Sequence, residues 1–163
     1  MSGGRKSKPG GAGADVFTPE KRSAVMRAVK GKNTAPEIAL RKALFKRGFR
    51  YRLNVADLPG KPDLVFPRYR AIIFVHGCFW HGHDCARGAR PPKTNADYWR
   101  AKIARNVKRD HAAIDALQRD GWRVYVSWEC DLKRVDEEAD KAAGWLLESL
   151  SQDLEHFVND GDH

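Results

Sequence analysis

At 163 residues the chain has room for one domain with a real core, and five Trp and seven Phe supply apolar bulk for it. No apolar run approaches membrane-spanning length and no signal-peptide pattern precedes the first charged helix, so a membrane enzyme is excluded and a cytoplasmic, nucleoid-associated location is expected. The net charge of +9 is unevenly spread: residues 1–134 hold 29 Lys/Arg against 12 Asp/Glu, whereas beyond them Lys141 stands alone against nine acids. Such a basic body is the footprint of a phosphate-backbone binder, although a generic basic surface would read the same way.

Residues 1–14 are rich in Gly, Ser and Lys and read as a flexible basic tail. Thr18-Pro19-Glu20 starts a basic helix over residues 18–29, which Gly31-Lys32-Asn33 breaks. Thr34 and Glu37 form a capping-box pattern for a second helix, with Leu40 and Leu44 on one face, ending at Gly48. Residues 49–53 alternate aromatic or apolar side chains with arginine, as a strand does. After a rigid Pro/Gly turn at residues 58–62, residues 64–66 and 71–75 read as two strands paired antiparallel through a turn at Arg68 and Tyr69. Residues 77–93 have no periodicity. Thr94 caps a long helix to about Arg119, residues 123–128 are a strand, and residues 136–150 are a last helix. The order predicts an α/β fold with one mixed central sheet flanked by helices. The domain proper spans residues 15–150, and residues 151–163 are an acidic C-terminal tail.

The long helix carries an anomaly. Its apolar stripe of Trp99, Ile103, Val107, Ile114 and Leu117 calls for one more core-facing residue, and that position is Asp110. A carboxylate there costs stability unless it is paired or metal-bound. The plainer alternatives are a side chain bent out to solvent and a buried salt bridge.

The chemistry concentrates in residues 62–85. Asp63 opens the first hairpin strand and His76 ends the second, so antiparallel pairing brings them together at the open end. Phosphodiester cleavage needs a hard cation, usually Mg²⁺, held by carboxylate oxygens; Asp63 supplies one and the Val75 carbonyl can supply another. His76 and His81 can act as base, acid or phosphate stabiliser near neutral pH. Three cysteines are an odd count for a disulfide framework. Cys78, Cys85 and Cys130 with one nearby histidine, His83 or His81, instead match a structural Zn²⁺ site. Buried unligated cysteines are the bland alternative. Phe79 and Trp80 sit in a loop where apolar residues should be scarce. They, and Trp99 nearby, read either as a wedge that stacks on bases or as a small satellite core.

Pro62-Asp63, followed by Phe74-Val75-His76-Gly77-Cys78-Phe79-Trp80-His81, His83 and Cys85, resembles the very short patch repair (Vsr) DNA mismatch endonucleases. The resemblance extends upstream to Arg22, Met26, Asn33 and Glu37. Downstream it takes in Trp99, Lys102, Asn106, Asp110 and Trp128-Glu129-Cys130, covering about residues 15–133. It implies a fold similar to the PD-(D/E)xK restriction endonucleases, with the usual second acid-x-Lys element replaced by a strand ending in histidine. It implies nicking of one DNA strand 5′ to the thymine of a T:G mismatch left by 5-methylcytosine deamination, which initiates very short patch repair. Carried over, Asp63 and the Val75 carbonyl bind the catalytic Mg²⁺, and His76, His81, Asp110 and Glu37 complete the active site. Cys78, His83, Cys85 and Cys130 bind structural Zn²⁺. Phe79, Trp80 and Trp99 form the wedge beside the mismatch, with Met26 as a further DNA contact. Val75 stands where a threonine is common, which is harmless if only its carbonyl binds metal.

The expected protein is therefore a monomeric, Mg²⁺-dependent and zinc-stabilised endonuclease acting on double-stranded DNA. A functional link to a cytosine-5 DNA methyltransferase and to mismatch-repair proteins is expected with it. Two rivals are a restriction-type nuclease of the same fold and a zinc-stapled DNA-binding module without catalysis. The aromatic wedge argues against the first; Asp63 and Asp110 argue against the second, since mere binding has no use for carboxylates near phosphates.

Overall fold

The computed structural model describes residues 33–90 and 92–159, with the backbone alone over residues 153–159. The basic tail, the helix expected over residues 18–29 and Met26 lie outside the described residues.

Helix α1 (Ala35–Lys46) starts after Thr34 with a proline in its first turn, where a missing N–H costs nothing. The expected capping box is displaced by one residue. Thr34 makes no side-chain cap bond, and Glu37 Oε2 instead accepts the Asn33 N–H at 3.2 Å. Gly48 turns the chain at φ +92, and the Phe49 N–H donates back to the Leu44 carbonyl. Strand β1 (Arg52–Leu53) is consequently shorter than the expected 49–53. Phe49 is buried against Tyr69, and the Tyr51 hydroxyl donates to the Arg41 carbonyl, so residues 49–51 are committed to α1 rather than to the ladder.

Strands β2 (Leu64–Phe66) and β3 (Ala71–His76) form the predicted antiparallel hairpin, with Leu64 opposite Ile73. The turn Pro67–Tyr69 is a short 3₁₀ segment closed by Arg70 at φ +51. Helix α2 (Ala96–Arg119) then crosses over to β4 (Arg123–Trp128), which runs parallel to β3 from Ala71 opposite Arg123 to His76 opposite Trp128. Helix α2 begins after Asn95 (φ +53) rather than at Thr94. A 3₁₀ segment, Asp131–Arg134, leads into α3 (Val135–Asn159), which continues past residue 150 into the acidic stretch. The strand order is β1-β2-β3-β4, a mixed sheet as expected.

Side-chain alternation divides the core between the two faces. Leu64, Phe66, Ala71 and Ile73 meet Leu40 and Leu44 of α1 and Ala139, Ala142 and Leu146 of α3. Val65, Ile72 and Phe74 meet Ile114 and Leu117 of α2. Phe66, Leu44 and Leu117 are fully buried, so truncating any one to alanine costs about 2–5 kcal/mol. Two residues beyond Phe74, His76 comes out on the α2 face at the end of the sheet. Asp110 approaches there from the helix.

Candidate active site and metal centre

Asp63 sits immediately before β2, behind the buried Pro62. The turn that delivers it runs through Gly60 at φ +74, where a Cβ would press on Phe74 and Ala113; only glycine lets the turn sit this close. The Val75 N–H donates to Asp63 Oδ2 at 2.7 Å across the mouth of the hairpin. Since the N–H and C=O of one strand residue point the same way, the Val75 carbonyl also turns toward this edge. Burial pushes the Asp63 carboxyl up to about 6; the negative Glu37 adds to this, while the Val75 bond and His81 oppose it. Glu37 is buried at 3 % exposure. Its Oε1 has no hydrogen bond among the described residues, with Arg41 Nη1 at 3.7 Å. Two desolvated carboxylates that repel each other, one with an orphaned oxygen, are a donor set that suits a hard divalent cation.

His81 Nδ1 lies 2.6 Å from Asp110 Oδ2. The imidazole of His81 stacks on that of His76 at 3.8 Å between centroids, 4° from parallel. Burial is the main cause that holds His76 down to about 4, with the neighbouring His81 adding to it and Asp110 opposing it. His76 is therefore a neutral imidazole at physiological pH. The anomaly on α2 is thus resolved: Asp110 replaces an apolar core residue because it faces His81.

The loop carrying His81 is fixed to α2 at two further points. Asn106 Nδ2 donates to the Trp80 carbonyl at 3.0 Å, and Gly82 (φ +66) packs where a Cβ would meet Val107 and Ile103. Phe79, Trp80 and Trp99 pack mutually edge-to-face, with centroids 5.1 to 6.1 Å apart. All three are half-buried, while Tyr98 beside them is exposed. The outer face of α2 presents Arg100, Arg105, Lys108 and Arg109, a basic stripe next to the aromatic cluster.

Cys78, His83, Cys85 and Cys130 form a second centre, with one donor atom from each all within 4.8 Å of one another. His83 Nδ1 lies 3.5 Å from Cys130 Sγ, so His83 joins the cysteines and His81 goes to Asp110. The Gly88 N–H draws Cys85 down to about 6, whereas burial pushes the fully buried Cys78 up to about 12. A Cβ on Gly88 would collide with the His83 carbonyl, so the loop can close around the quartet only with glycine there. Three thiols and an imidazole fit tetrahedral Zn²⁺.

Three contributions have no role in the expectations above, although Asn106, Trp128 and Glu129 belong to the matching motifs: the Asn106 anchor, the Arg87–Glu129 ion pair at 3.0 Å, and Trp128, which stacks on His83. Asn106 lies one helical turn before Asp110, so the spacing was a usable signal. The Trp128 contact depends on the β3–β4 register, which no local pattern reveals.

Carboxylates and a histidine–aspartate pair at one end of a sheet, beside a basic helix, are the donor types that hydrolysis of a polyanionic substrate uses. Residues 14–87 match the family model for the DNA mismatch endonuclease Vsr. The chain is 43% identical over 135 residues to the DNA mismatch endonuclease Vsr of Escherichia coli, covering 83% of this chain and 86% of that protein. It is 51% identical over 118 residues to the type II nicking enzyme V.XorIIP of Xanthomonas oryzae pv. oryzae, covering 72% and 86%. It is 48% identical over 119 residues to the type II nicking enzyme V.NmeAIP of Neisseria meningitidis, covering 73% and 84%. The chain belongs to the Vsr family of DNA mismatch endonucleases, and its class is DNA endonuclease.

Proposed function

We propose that this endonuclease nicks one strand of duplex DNA 5′ to the thymine of a T:G mismatch arising from 5-methylcytosine deamination, initiating very short patch repair. The observation that carries this reading is the stacked His76–His81 pair, backed by Asp110 and set beside Asp63 and the Phe79/Trp80/Trp99 cluster. In this reading the bases to be probed and the phosphate to be cut lie on one face.

Asp63 and the Val75 carbonyl hold Mg²⁺ in this reading, with Glu37 completing the acidic side. Bound there, the ion supplies a Lewis acid for the scissile phosphate and lowers the pKa of water. An ionised Asp110 can only accept, so it fixes the His81 proton on Nδ1 and leaves Nε2 as the free lone pair. Nε2 then takes the proton of the attacking water. His76, kept neutral by burial, donates an N–H bond to the phosphate or leaving oxygen rather than a full charge. The Cys78/His83/Cys85/Cys130 quartet holds Zn²⁺ and ties the loop to the end of β4, a structural role. Met26 contacts the DNA from the segment before residue 33. A PD-(D/E)xK-like core, a monomeric state, a basic tail over residues 1–14 and an acidic end after residue 150 complete the proposal. So do action on the nucleoid and a link to a cytosine-5 DNA methyltransferase and mismatch-repair proteins.

The test is a nicking assay on T:G and matched duplexes with and without Mg²⁺, using wild type and Asp63→Ala. Nicking confined to the T:G duplex, dependent on Mg²⁺ and lost in Asp63→Ala with DNA binding retained, is the expected result. Equal cleavage of matched DNA would favour a restriction-type enzyme. Binding without cleavage under any divalent metal would favour a DNA-binding module.

A further inference from the structure

The imidazole of His76 has no hydrogen bond to its ring among the described residues. Packing sets its orientation, with a donor atom of His81 and one of Asp110 within 4.8 Å of its own, and the residue is 5 % exposed. One wall is His81, stacked at 3.8 Å; a second is Phe74 at 5.5 Å. The third is Trp128, whose ring centroid lies 5.4 Å from that of His76 at 72°. The parallel register places Trp128 directly opposite His76 on the neighbouring strand, and the Glu129 N–H donates to the His76 carbonyl at 2.9 Å. The same indole stacks on His83 at 4.1 Å and 10°. A single side chain therefore touches the His76 ring on one side and a ligand of the Cys/His centre on the other. Cys130, a second ligand of that centre, follows two residues later on the same chain.

We infer that Trp128 is a positioning residue, which holds the His76 imidazole in its reactive orientation and couples that orientation to the Cys78/His83/Cys85/Cys130 centre. The inference rests on the proposed role of His76 and extends it to a residue that touches neither DNA nor the attacking water. The physical basis is simple. An imidazole without hydrogen bonds can rotate about its side-chain torsions unless flat neighbours block it. His81 against its face, with Trp128 and Phe74 at its edges, fixes the plane of the ring. Trp128 is itself held by its contact with His83, so an ordered metal centre is a condition for an ordered His76.

The test uses the full chain carrying Trp128→Leu, which fills part of the volume without a flat ring, and Trp128→Phe, which keeps one. Metal content is measured by elemental analysis. The His76 ring-proton NMR lines, assigned by their loss in His76→Gln, report the ring's surroundings, because an indole this close imposes a ring-current shift. Nicking kinetics on T:G duplex give kcat and KM separately. For metal-loaded, folded Trp128→Leu the expectation, beyond the line shift that loss of the indole ring current gives by itself, is an unchanged KM and a kcat lowered about ten- to hundredfold, with Trp128→Phe restored to within about threefold of wild type. Chelating the metal from wild type that stays folded by circular dichroism should move the His76 line as well, and should move it less in equally folded Trp128→Leu, where the link is already cut. A metal-loaded, folded Trp128→Leu with wild-type kcat would overturn the proposal. So would activity falling only in proportion to lost metal in both variants. If Trp128→Leu does not fold, the chelation response of His76 in wild type and Trp128→Phe decides, and no movement in either overturns it. The NMR and metal measurements stand even if wild type shows no T:G nicking, so failure of the nicking reading is seen separately.

Discussion

His81 Nδ1 meets Asp110 Oδ2 at 2.6 Å, joining a loop residue to a helix residue 29 positions later. In the proposed mechanism the carboxylate holds one tautomer of the imidazole and stabilises it once it takes a proton. Asp110→Asn keeps the shape, but its amide can donate to Nδ1 and so favour the wrong tautomer. We expect kcat to fall about 10²-fold or more with KM and melting temperature little changed, since general-base catalysis is worth that much. Single-turnover nicking measures it; an unaltered rate would remove Asp110 from the reaction.

Asp63 and His76 are displaced in opposite senses, and this makes a pH prediction. The Asp63 carboxyl binds its proton more tightly in the fold, at about 6 against an ordinary 3.8. Its contribution is therefore full at low pH and is lost as pH rises through about 6. His76 binds its proton less tightly, at about 4 against an ordinary 6.5, so the unfolded chain takes up more protons there. Its contribution is lost as pH falls through that window. Each shift is worth roughly 3 kcal/mol and the two nearly cancel in wild type. Urea unfolding without Mg²⁺ from pH 4 to 6.5 should show Asp63→Asn gaining stability over wild type as pH rises. His76→Gln should lose it over the same range. Differences from wild type remove the common titration of the Cys/His ligands, and flat differences for both variants would contradict the assignment.

The metal centre offers a separable prediction. Burial keeps Cys78 protonated, with its thiol raised to about 12, so its thiolate forms only when a cation compensates for it. Cys130→Ser should lower bound zinc and thermal stability together, because ligand assembly and folding are coupled. Elemental analysis with thermal melts tests this, and protein purified without zinc at full stability would refute it.

Much of this architecture was legible in the sequence because it is local. The hairpin followed from two short apolar runs around Pro67-Arg68-Tyr69-Arg70, and Asp110 stood out by interrupting a helical stripe. What escaped was set by contacts between distant segments. Strand β1 shrank to two residues because Phe49 and Tyr51 found partners on α1. The choice between His81 and His83 for the thiol cluster was open from spacing alone. It is resolved by α2, which presents Asp110 to one, and by β4, which presents Cys130 to the other.

The aromatic cluster gives the sharpest test of specificity. Phe79, Trp80 and Trp99 could be a satellite core or a wedge, and their geometry suits both, being mutually packed yet half-exposed. The satellite-core reading makes Trp80 a stability residue, so its loss would lower melting temperature and leave specificity alone. The wedge reading makes it a probe of base stacking. Inserting a ring costs a few kcal/mol of unstacking, least where pairing is already imperfect, as at a T:G wobble. Asn106 holds the Trp80 backbone, so truncating the side chain should leave the loop and the His81–Asp110 pair in place. We therefore expect Trp80→Ala to nick T:G DNA more slowly, by about tenfold for each 1.4 kcal/mol of lost insertion energy. Its ratio of T:G to matched cleavage should fall with the rate. Measuring that ratio alongside melting temperature separates the two roles: an unchanged ratio with a lowered melting temperature would return the cluster to a purely structural role.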